Sequence, residues 1–158
     1  IICNNGMYET LAGFCERGRR VQIMTNAIES GANPFGCTDY LNEKKNILAT
    51  GSEVFEVSCR QSLHTKPLLV DVHISMIGSY NLDLRSTYLD TELMLVIDCP
   101  ELNQCLRENA SVKAEQSRHV LPDGTENEGP DFQGEMPFYK KAGYFLLRLL
   151  TGLFRYLL

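Results

Sequence analysis

The sequence lacks the features that mark several protein classes. It has no basic excess, because 15 basic residues stand against 20 acidic ones for a net charge of −5. We therefore expect no nucleic-acid partner, since domains that bind nucleic acids usually carry a basic patch. With 44% hydrophobic and 22% charged residues, the composition also excludes collagen-like, disordered and disulfide-scaffold chains. A length of 158 residues predicts one globular domain with a sizeable core.

Zinc-binding cysteine patterns are also lacking. No C-x-x-C pair occurs among the six cysteines, which are Cys3, Cys15, Cys37, Cys59, Cys99 and Cys105. Their spacings match no zinc site, and most lie in or beside apolar stretches. We expect reduced, buried thiols in a reducing compartment, without a metal ion or other cofactor.

The sequence has no initiator Met or secretory signal at its start and no helix-stop signal at its end. The chain begins without Met, and no basic segment followed by an apolar run and a cleavage site is present. Its last residues form an apolar run with no capping residue, Gly or Pro after it. We expect this chain to be a fragment of a longer protein.

Hydrophobic periodicity predicts alternating helices and strands. The predicted helices are residues 7–18, 39–49 and 100–119, and the predicted strands are 21–24, 53–58, 63–71, 72–77 and 92–98. This order indicates an α/β fold with a mixed β-sheet flanked by helices. We predict a catalytic domain over residues 1–121, a Gly- and Pro-rich linker or extended loop over 122–137, and an apolar terminal helix over 138–158.

The residues most informative about chemistry form the pattern H-x-K-x4-D. It consists of His64, Lys66 and Asp71. In an extended strand, residues two apart face the same side, so the imidazole and the ammonium are predicted to project together. An imidazole can accept a phosphoryl group or move a proton, and a nearby ammonium offsets charge on phosphate oxygens. The pattern therefore indicates attack on a phosphodiester.

Two further pieces follow at the ends of later strands. Ser79 and Asn81, in Gly78-Ser-Tyr-Asn81, share a face and can donate hydrogen bonds to phosphate oxygens. Glu92 begins the last predicted strand, where a carboxylate could hydrogen-bond to the imidazole of His64 and fix its tautomer. We expect all five side chains around one pocket at the carboxyl ends of adjacent strands. His73 and His119 have no such partner set and are interpreted as incidental or structural.

These residues resemble the phospholipase D superfamily motif, H-x-K-x4-D followed by G-S-x-N. The spacings from His64 to Lys66, Ser79, Asn81 and Glu92 look like the family's pattern. The run from Ile77 to Ser86, which reads G-S-x-N-x-D-x-R-S, is similar to the second catalytic motif of bacterial cardiolipin synthases. Thr25-Asn26 and Asp39-Tyr40 also look like that subfamily.

The resemblance implies one half of a phospholipase D-like fold and roles for individual residues. His64, Lys66 and Glu92 would be catalytic, and Lys66, Ser79 and Asn81 would bind the substrate phosphate. Asp71, Gly78, Asp83 and Arg85 would be motif or structural residues. For Arg85, binding a phosphate and pairing with Asp83 remain equal alternatives. Pro67 departs from the motif, because a proline after the lysine indicates an edge or bulged strand.

Family enzymes place two such motifs face to face, so this chain would supply half a site. One histidine forms a phosphohistidine and the other acts as general acid and base, the role assigned here to His64. The resemblance implies phosphatidyl transfer between phospholipids, without a metal. Hydrolysis of a phospholipid or nucleic-acid phosphodiester, and a catalytically incomplete membrane-associated module, are the alternatives. The expected partners are a phospholipid substrate, a membrane surface, and a missing N-terminal half or a twofold-related copy.

The terminal apolar segment predicts an amphipathic helix. Lys141, Arg148, Gly152 and Arg155 fall on one narrow stripe, and the visible segment is too short to cross a bilayer. One prediction is a helix in the membrane interface with its basic stripe toward anionic headgroups, on the cytoplasmic side of a bacterial membrane. The alternative is a helix that packs on the catalytic domain or the missing half.

Overall fold

The computed structural model describes residues 3–31, 33–58 and 62–151, with Leu150 described by its backbone alone. The chain forms five helices and seven strands within these ranges. In chain order they are α1 (Asn5–Glu16), β1 (Gln22–Asn26), α2 (Pro34–Ala49), β2 (Glu53–Val57), β3 (Pro67–Val70), β4 (Ile74–Gly78), α3 (Leu84–Tyr88), β5 (Met94–Asp98), α4 (Pro100–Glu115), β6 (Ser117–Val120), β7 (Glu126–Glu128) and α5 (Phe138–Thr151).

A four-stranded mixed sheet carries the main core. Its strand order is β1-β2-β6-β7, with β1 parallel to β2 and the other pairs antiparallel. α2 covers this sheet because Tyr40, Ile47 and Leu48 on the helix meet Val54 and Val120 on the strands. All five side chains are buried, so their removal from water supplies much of the stability of this unit.

A separate three-stranded antiparallel sheet holds the motif residues. Its order is β3-β4-β5, so β4 is central and β3 is an edge strand that begins at Pro67. An edge strand tolerates proline because its outer N–H groups face solvent, so the missing N–H costs no ladder bond. α4 is tied to the central strand by the buried Asn103, whose amide donates to the carbonyl oxygen of Ile74 at 2.8 Å.

The predicted α/β class is correct, while the arrangement differs in four places. The predicted strand over 63–71 is shorter, because β3 covers Pro67–Val70 and residues 62–66, including His64 and Lys66, belong to no strand. The strands form two sheets rather than one mixed sheet. α2 begins at Pro34 instead of residue 39, because Asn33 caps it by accepting from the backbone N–H groups of Phe35 and Gly36. The predicted helix over 100–119 ends at Glu115, and its last residues form strand β6.

Residues 122–137 contain a short strand and pack against the domain. β7 pairs with β6, and the guanidinium of Arg118 lies over the ring of Phe132 at 4.6 Å. Arg118 also forms ion pairs with Glu29 and Glu56 at 2.9 and 3.0 Å, and both carboxylates are nearly inaccessible to water. This half-buried ion network connects the segment, the sheet and the loop after β1.

The terminal segment is helical over Phe138–Thr151, and residues 152–158 lie outside the described part of the chain. Among the described residues, no helix is long and apolar enough to cross a membrane. Among the described cysteines, Cys3 and Cys37 are buried as predicted, Cys15 and Cys99 are half-buried, and Cys105 is exposed. Cys59 lies outside the described residues.

Candidate active site

The three-stranded sheet brings the motif residues to one of its ends. Because the strands are antiparallel, the segment before β3, the end of β4 and the segment before β5 meet at the same end of the sheet. His64 and Lys66 precede β3, Ser79 follows β4, and Glu92 precedes β5. The prediction that the carboxyl ends of adjacent strands form the site was therefore wrong for two strands, since β3 and β5 contribute their amino ends.

The segment that carries His64 is irregular and is held by the main domain. The Asn26 side chain, at the end of β1, accepts from the Leu63 N–H at 2.7 Å and donates to the Leu63 carbonyl oxygen at 3.0 Å. The Ser62 hydroxyl donates to the Ser30 carbonyl oxygen at 3.1 Å. Lys66 Nζ donates to the His64 carbonyl oxygen at 2.7 Å, so the ammonium is folded back toward the histidine backbone.

The strand end at β4 requires a glycine. A Cβ on Gly78 would overlap the Leu93 carbonyl oxygen and would lie 2.6 Å from Met94 Sδ, too close for any side chain. This close approach continues at Ser79, whose backbone N–H donates to Leu93 at 3.0 Å and whose hydroxyl accepts from the Leu93 N–H at 3.1 Å. Ser79 is thereby fixed directly beside Glu92.

The turn after β4 is built by a capped short helix. Asp83 caps α3 by accepting from the Ser86 N–H at 2.7 Å, and the buried Ser86 hydroxyl accepts from the Asn81 N–H at 3.2 Å. Arg85 forms an ion pair with Asp90 at 3.0 Å. Arg85 therefore pairs with Asp90 instead of the predicted Asp83, whose carboxylate caps α3, and phosphate binding by Arg85 stays a prediction.

An open cleft of about 630 Å³ forms at this end of the sheet. All five residues predicted to converge line it, as do two of the predicted structural residues, Gly78 and Arg85. The full lining is His64, Lys66, Gly78, Ser79, Asn81, Arg85, Asp90, Thr91 and Glu92. Asp90 and Thr91 were not predicted, and only their proximity to Glu92 in the sequence could have indicated them.

Hydrogen bonds from hydroxyl groups, and none from His64, lower the pKa of the Glu92 carboxyl. Its Oε2 accepts a hydrogen bond from Ser79 Oγ. This bond, with that from Ser86, holds the pKa of Glu92 below its ordinary value, and the positive charges of Lys66 and Arg85 act in the same direction. The group is therefore a carboxylate at neutral pH, facing the same cleft as the two cationic side chains.

The predicted hydrogen bond between Glu92 and His64 does not form. The strand order explains this result, because β4 lies between the strands that these two residues precede. Two strand spacings separate those positions, or about 9–10 Å. Glu92 therefore contacts its immediate neighbour Ser79, and an orienting role for this carboxylate toward His64 has no support from the geometry.

The remaining motif and histidine residues lie outside the cleft. Asp71 is at the opposite end of β3, in the turn to β4, with a positive φ of 47° and a carbonyl oxygen that accepts from Arg107. This contact involves only the backbone of Asp71, so the scaffold role of its side chain stays a prediction. The exposed His73 lies 4.0 Å from Asp98. His119 stacks on Phe55 and pairs with Glu53 at 2.9 Å, in the other sheet.

Chemically, the cleft combines two cations, two carboxylates, two hydroxyls, an amide and an imidazole on one open surface. These groups match the demands of a phosphodiester, whose non-bridging oxygens need donors while a nucleophile or acid acts at phosphorus. No group of three or more His, Cys, Asp or Glu side chains suited to a metal ion occurs within residues 3–31, 33–58 and 62–151.

Comparison with known protein families agrees with this chemistry. Residues 1–111 match the family model described as "Cardiolipin synthase, PLD-like domain". Since the match covers most of the sequence, the chain belongs to the phospholipase D superfamily, through this cardiolipin synthase type of domain. The family predicted from the H-x-K-x4-D and G-S-x-N residues is thereby confirmed.

A curated relative and two solved structures support the same assignment. The chain is 41% identical to cardiolipin synthase A of Proteus mirabilis over 66 residues, which are 42% of this chain and 13% of that protein. Its fold is similar to that of Nuc, a phospholipase D family member from Salmonella typhimurium (TM-score 0.60, 20% identity, 76% of each chain covered). It is also similar to phosphatidylserine synthase of Haemophilus influenzae (TM-score 0.60, 16% identity), covering 98% of this chain and 39% of that one.

The chain spans about a quarter or less of the length of the curated relatives that it matches. At 20% and 16% identity, the two structural matches establish the fold, which is shared by proteins of different named activities. The fold alone therefore does not identify the reaction, which has to be inferred from the residues of the cleft.

Proposed function

We propose that this chain supplies one half of the active site of a phosphatidyltransferase of the cardiolipin synthase type. The observation that carries the proposal is the cleft itself, in which His64, Lys66, Ser79 and Asn81 converge at one end of the sheet. The family match to a cardiolipin synthase domain supports a phospholipid as the substrate. The net charge of −5 argues against a nucleic-acid substrate.

The proposed reaction has two displacement steps at phosphorus. A histidine from the other half of the site attacks the phosphodiester, forming an N–P bond while the P–O bond to the leaving alcohol breaks. His64, as general acid, gives that alcohol its proton. His64 then removes a proton from the hydroxyl of a second phospholipid, whose oxygen attacks phosphorus and releases the first histidine.

In this proposal, hydrogen-bond donors of the cleft hold the substrate phosphate. The Lys66 ammonium and the Asn81 amide would donate to the non-bridging oxygens, on which charge develops during each displacement. The one hydroxyl proton of Ser79 goes to Glu92, so Ser79 would donate to the phosphate only when that bond is exchanged. Glu92 is assigned to Ser79 instead of His64, because the carboxylate already accepts the serine hydroxyl. In this role Glu92 fixes the direction of the hydroxyl and balances the charges of Lys66 and Arg85.

The site needs a second histidine, since one imidazole cannot act as nucleophile and as general acid in the same step. Within the described residues, the other two histidines are in the turn between β3 and β4 and in β6, outside the cleft. A second H-x-K half, on the same longer polypeptide or on a twofold-related copy, would complete the site. The much greater length of the relatives supports the first arrangement.

The proposal is tested by reconstitution with phosphatidylglycerol vesicles. We expect the isolated 158-residue chain to be inactive, and a protein that also contains the second H-x-K half to form cardiolipin and free glycerol. His64→Asn should abolish both products, while His73→Asn should leave them unchanged. Cardiolipin formation by the isolated monomeric chain would contradict the half-site model.

The same experiment separates the alternative functions. A phospholipid hydrolase would release phosphatidic acid with water as acceptor and would form no cardiolipin. A nuclease would cleave single- or double-stranded DNA in a His64-dependent manner. A catalytically incomplete module would give none of these products in the completed protein, whatever residue occupies position 64.

A further inference from the structure

The inner face of α5 packs against α2 through polar and aromatic groups. Tyr144 and Thr151 are buried at this interface. Arg148 Nε donates to Asn42 Oδ1 at 2.9 Å, and the Asn42 amide donates to the Arg148 carbonyl oxygen at 3.2 Å. The helix is therefore held by hydrogen bonds on one side, as the packing alternative predicted.

The opposite side of α5, called here the outer face, is apolar and uncovered. Its large side chains are between 63% and 84% exposed, and they are Phe138, Tyr139, Phe145, Leu146 and Leu149. At 3.6 residues per turn, Leu146 and Leu149 lie nearly opposite Tyr144 and Thr151, and Phe138, Tyr139 and Phe145 flank them. Soluble proteins rarely expose so many large apolar side chains side by side without a binding role.

The charge of α5 differs in sign from that of the rest of the chain. The helix contains Lys140, Lys141 and Arg148 and no acidic residue, although the whole chain carries a net charge of −5. The exposed Lys141 borders the outer face, which places a cation beside the apolar side chains. A second copy on the same face would bring like charges together, whereas an anionic surface would be attracted.

The first turn of α5 lies near the segment that carries the catalytic histidine. Lys140 Nζ donates to the Glu29 carbonyl oxygen at 2.8 Å, and Ser62 Oγ donates to the carbonyl oxygen of the next residue, Ser30, at 3.1 Å. One short loop therefore binds both α5 and the segment leading to His64. The outer face and the cleft share this point of attachment.

We propose that the outer face of α5 is a membrane-binding surface that takes an anionic phospholipid bilayer, with the helix lying in the interface. This inference rests on the proposed function for the identity of the lipid. The apolar side chains enter the boundary between headgroups and acyl chains, and Lys141 meets anionic headgroups at its edge. The orientation differs from the predicted basic stripe, because Arg148 is used to hold α2. Through the shared loop, the helix sets the cleft beside the lipid surface.

The first test removes the apolar face without touching the cleft. Phe145→Ser combined with Leu149→Ser should reduce binding to vesicles of phosphatidylcholine and phosphatidylglycerol at least tenfold, in a flotation assay. Val112→Ser is the matched control, since Val112 is 57% exposed on α4. Unchanged vesicle binding by the double variant would overturn the proposal. So would loss of self-association, measured by sedimentation, with vesicle binding intact.

Charge is tested by Lys141→Glu. We expect this variant to lose affinity for vesicles that contain phosphatidylglycerol and to match the unmodified chain on phosphatidylcholine alone. An equal loss on both kinds of vesicle would overturn the electrostatic part. Using the His64→Asn background separates this result from the proposed function, because binding is then measured without turnover, and failure of catalysis leaves the assay unaffected.

The depth of the helix can be measured directly, because the chain contains no tryptophan. Phe145→Trp should show a blue-shifted emission on addition of anionic vesicles and quenching by brominated acyl chains. Val112→Trp, on α4, should show neither change. If the emission spectrum of Phe145→Trp is the same with and without vesicles, the outer face does not insert.

Discussion

The side-chain amide of Asn26 pairs with the main chain of Leu63 as a neighbouring strand would. It accepts from the Leu63 N–H and donates to the Leu63 carbonyl oxygen, at 2.7 and 3.0 Å. Residues 62–66 belong to no strand, so these two bonds replace the ladder that would otherwise fix His64, which follows immediately in the chain. Asn26 thus connects the four-stranded sheet to the candidate active site.

In a protein that contains both halves of the site, we predict that Asn26→Leu, which is close in shape and removes both bonds, lowers kcat of the proposed transfer about 5-fold to 150-fold. Two hydrogen bonds at about 0.5–1.5 kcal/mol each give this range. KM should change less, because the phosphate-binding side chains remain. Asn26→Asp should recover part of the activity, since it still accepts from the Leu63 N–H.

The matched control for this prediction is Asn109→Leu, which replaces an exposed asparagine on α4. Amide hydrogen exchange gives a measurement that needs no activity: the Leu63 N–H should exchange faster in Asn26→Leu and normally in the control. If Leu63 exchange is the same in all three proteins, Asn26 does not position this segment.

Ser79→Ala should raise the pKa of the Glu92 carboxyl toward its ordinary value. A hydrogen bond to the charged form lowers a carboxyl pKa, and the Ser79 hydroxyl is the main such donor. Ser86, Lys66 and Arg85 remain in the variant, so the return should be incomplete. Carbon-13 NMR titration of the carboxyl measures the shift, with Ser111→Ala on α4 as a control that should leave it unchanged.

The two glycines at positions 78 and 143 predict opposite effects of the same substitution. Gly78→Ala should destabilise the chain by about 1–3 kcal/mol or more, because its Cβ would overlap the Leu93 carbonyl oxygen. Gly143→Ala should stabilise it by about 0.5–1 kcal/mol, since the site lies inside α5 with open space around it. Urea unfolding measures both. Equal stability of Gly78→Ala and the unmodified chain would contradict the tight approach of β4 and β5.

The convergence of the motif residues could be predicted from the sequence because short hairpins fix it. His64 and Lys66 precede β3, and Ser79 and Asn81 follow β4, so the pairing of these two neighbouring strands brings the four residues together. The family pattern supplied Glu92 as a member of the same cleft. Its hydrogen-bond partner could not be predicted, because strand order decides which neighbour it meets and spacing along the chain does not carry that order.

Strands β6 and β7 were not predicted, because their sequences lack the hydrophobic pattern of a strand. β6 has the sequence Ser-Arg-His-Val and β7 has Glu-Asn-Glu, neither of which has the apolar alternation of a strand. They are stabilised by tertiary partners, since Arg118 pairs with Glu56 in β2 and approaches Glu126 in β7. Charge pairing across strands replaces hydrophobic pattern there, and the partners are distant in the sequence. The start of α2 was different, because Asn33-Pro34 carries a cap signal that the surrounding glycines obscured.

A last prediction concerns acid stability and the pair formed by Arg20 and Glu53. Hydrogen bonds from Arg20 lower the pKa of the Glu53 carboxyl to about 2, with smaller contributions from Gln22 and His119. A carboxyl whose folded pKa is depressed contributes stability above its unfolded pKa, about 4.3. That contribution is lost as pH falls through the folded value.

Glu53→Gln should therefore lower Tm at pH 7, and its difference from the unmodified chain should shrink below pH 4 and vanish near pH 2. Thermal unfolding between pH 2 and 7 measures this, with Glu108→Gln on the exposed face of α4 as the control. A Tm difference for Glu53→Gln that stays constant across this range would show that the lost packing, rather than the charge, accounts for the effect.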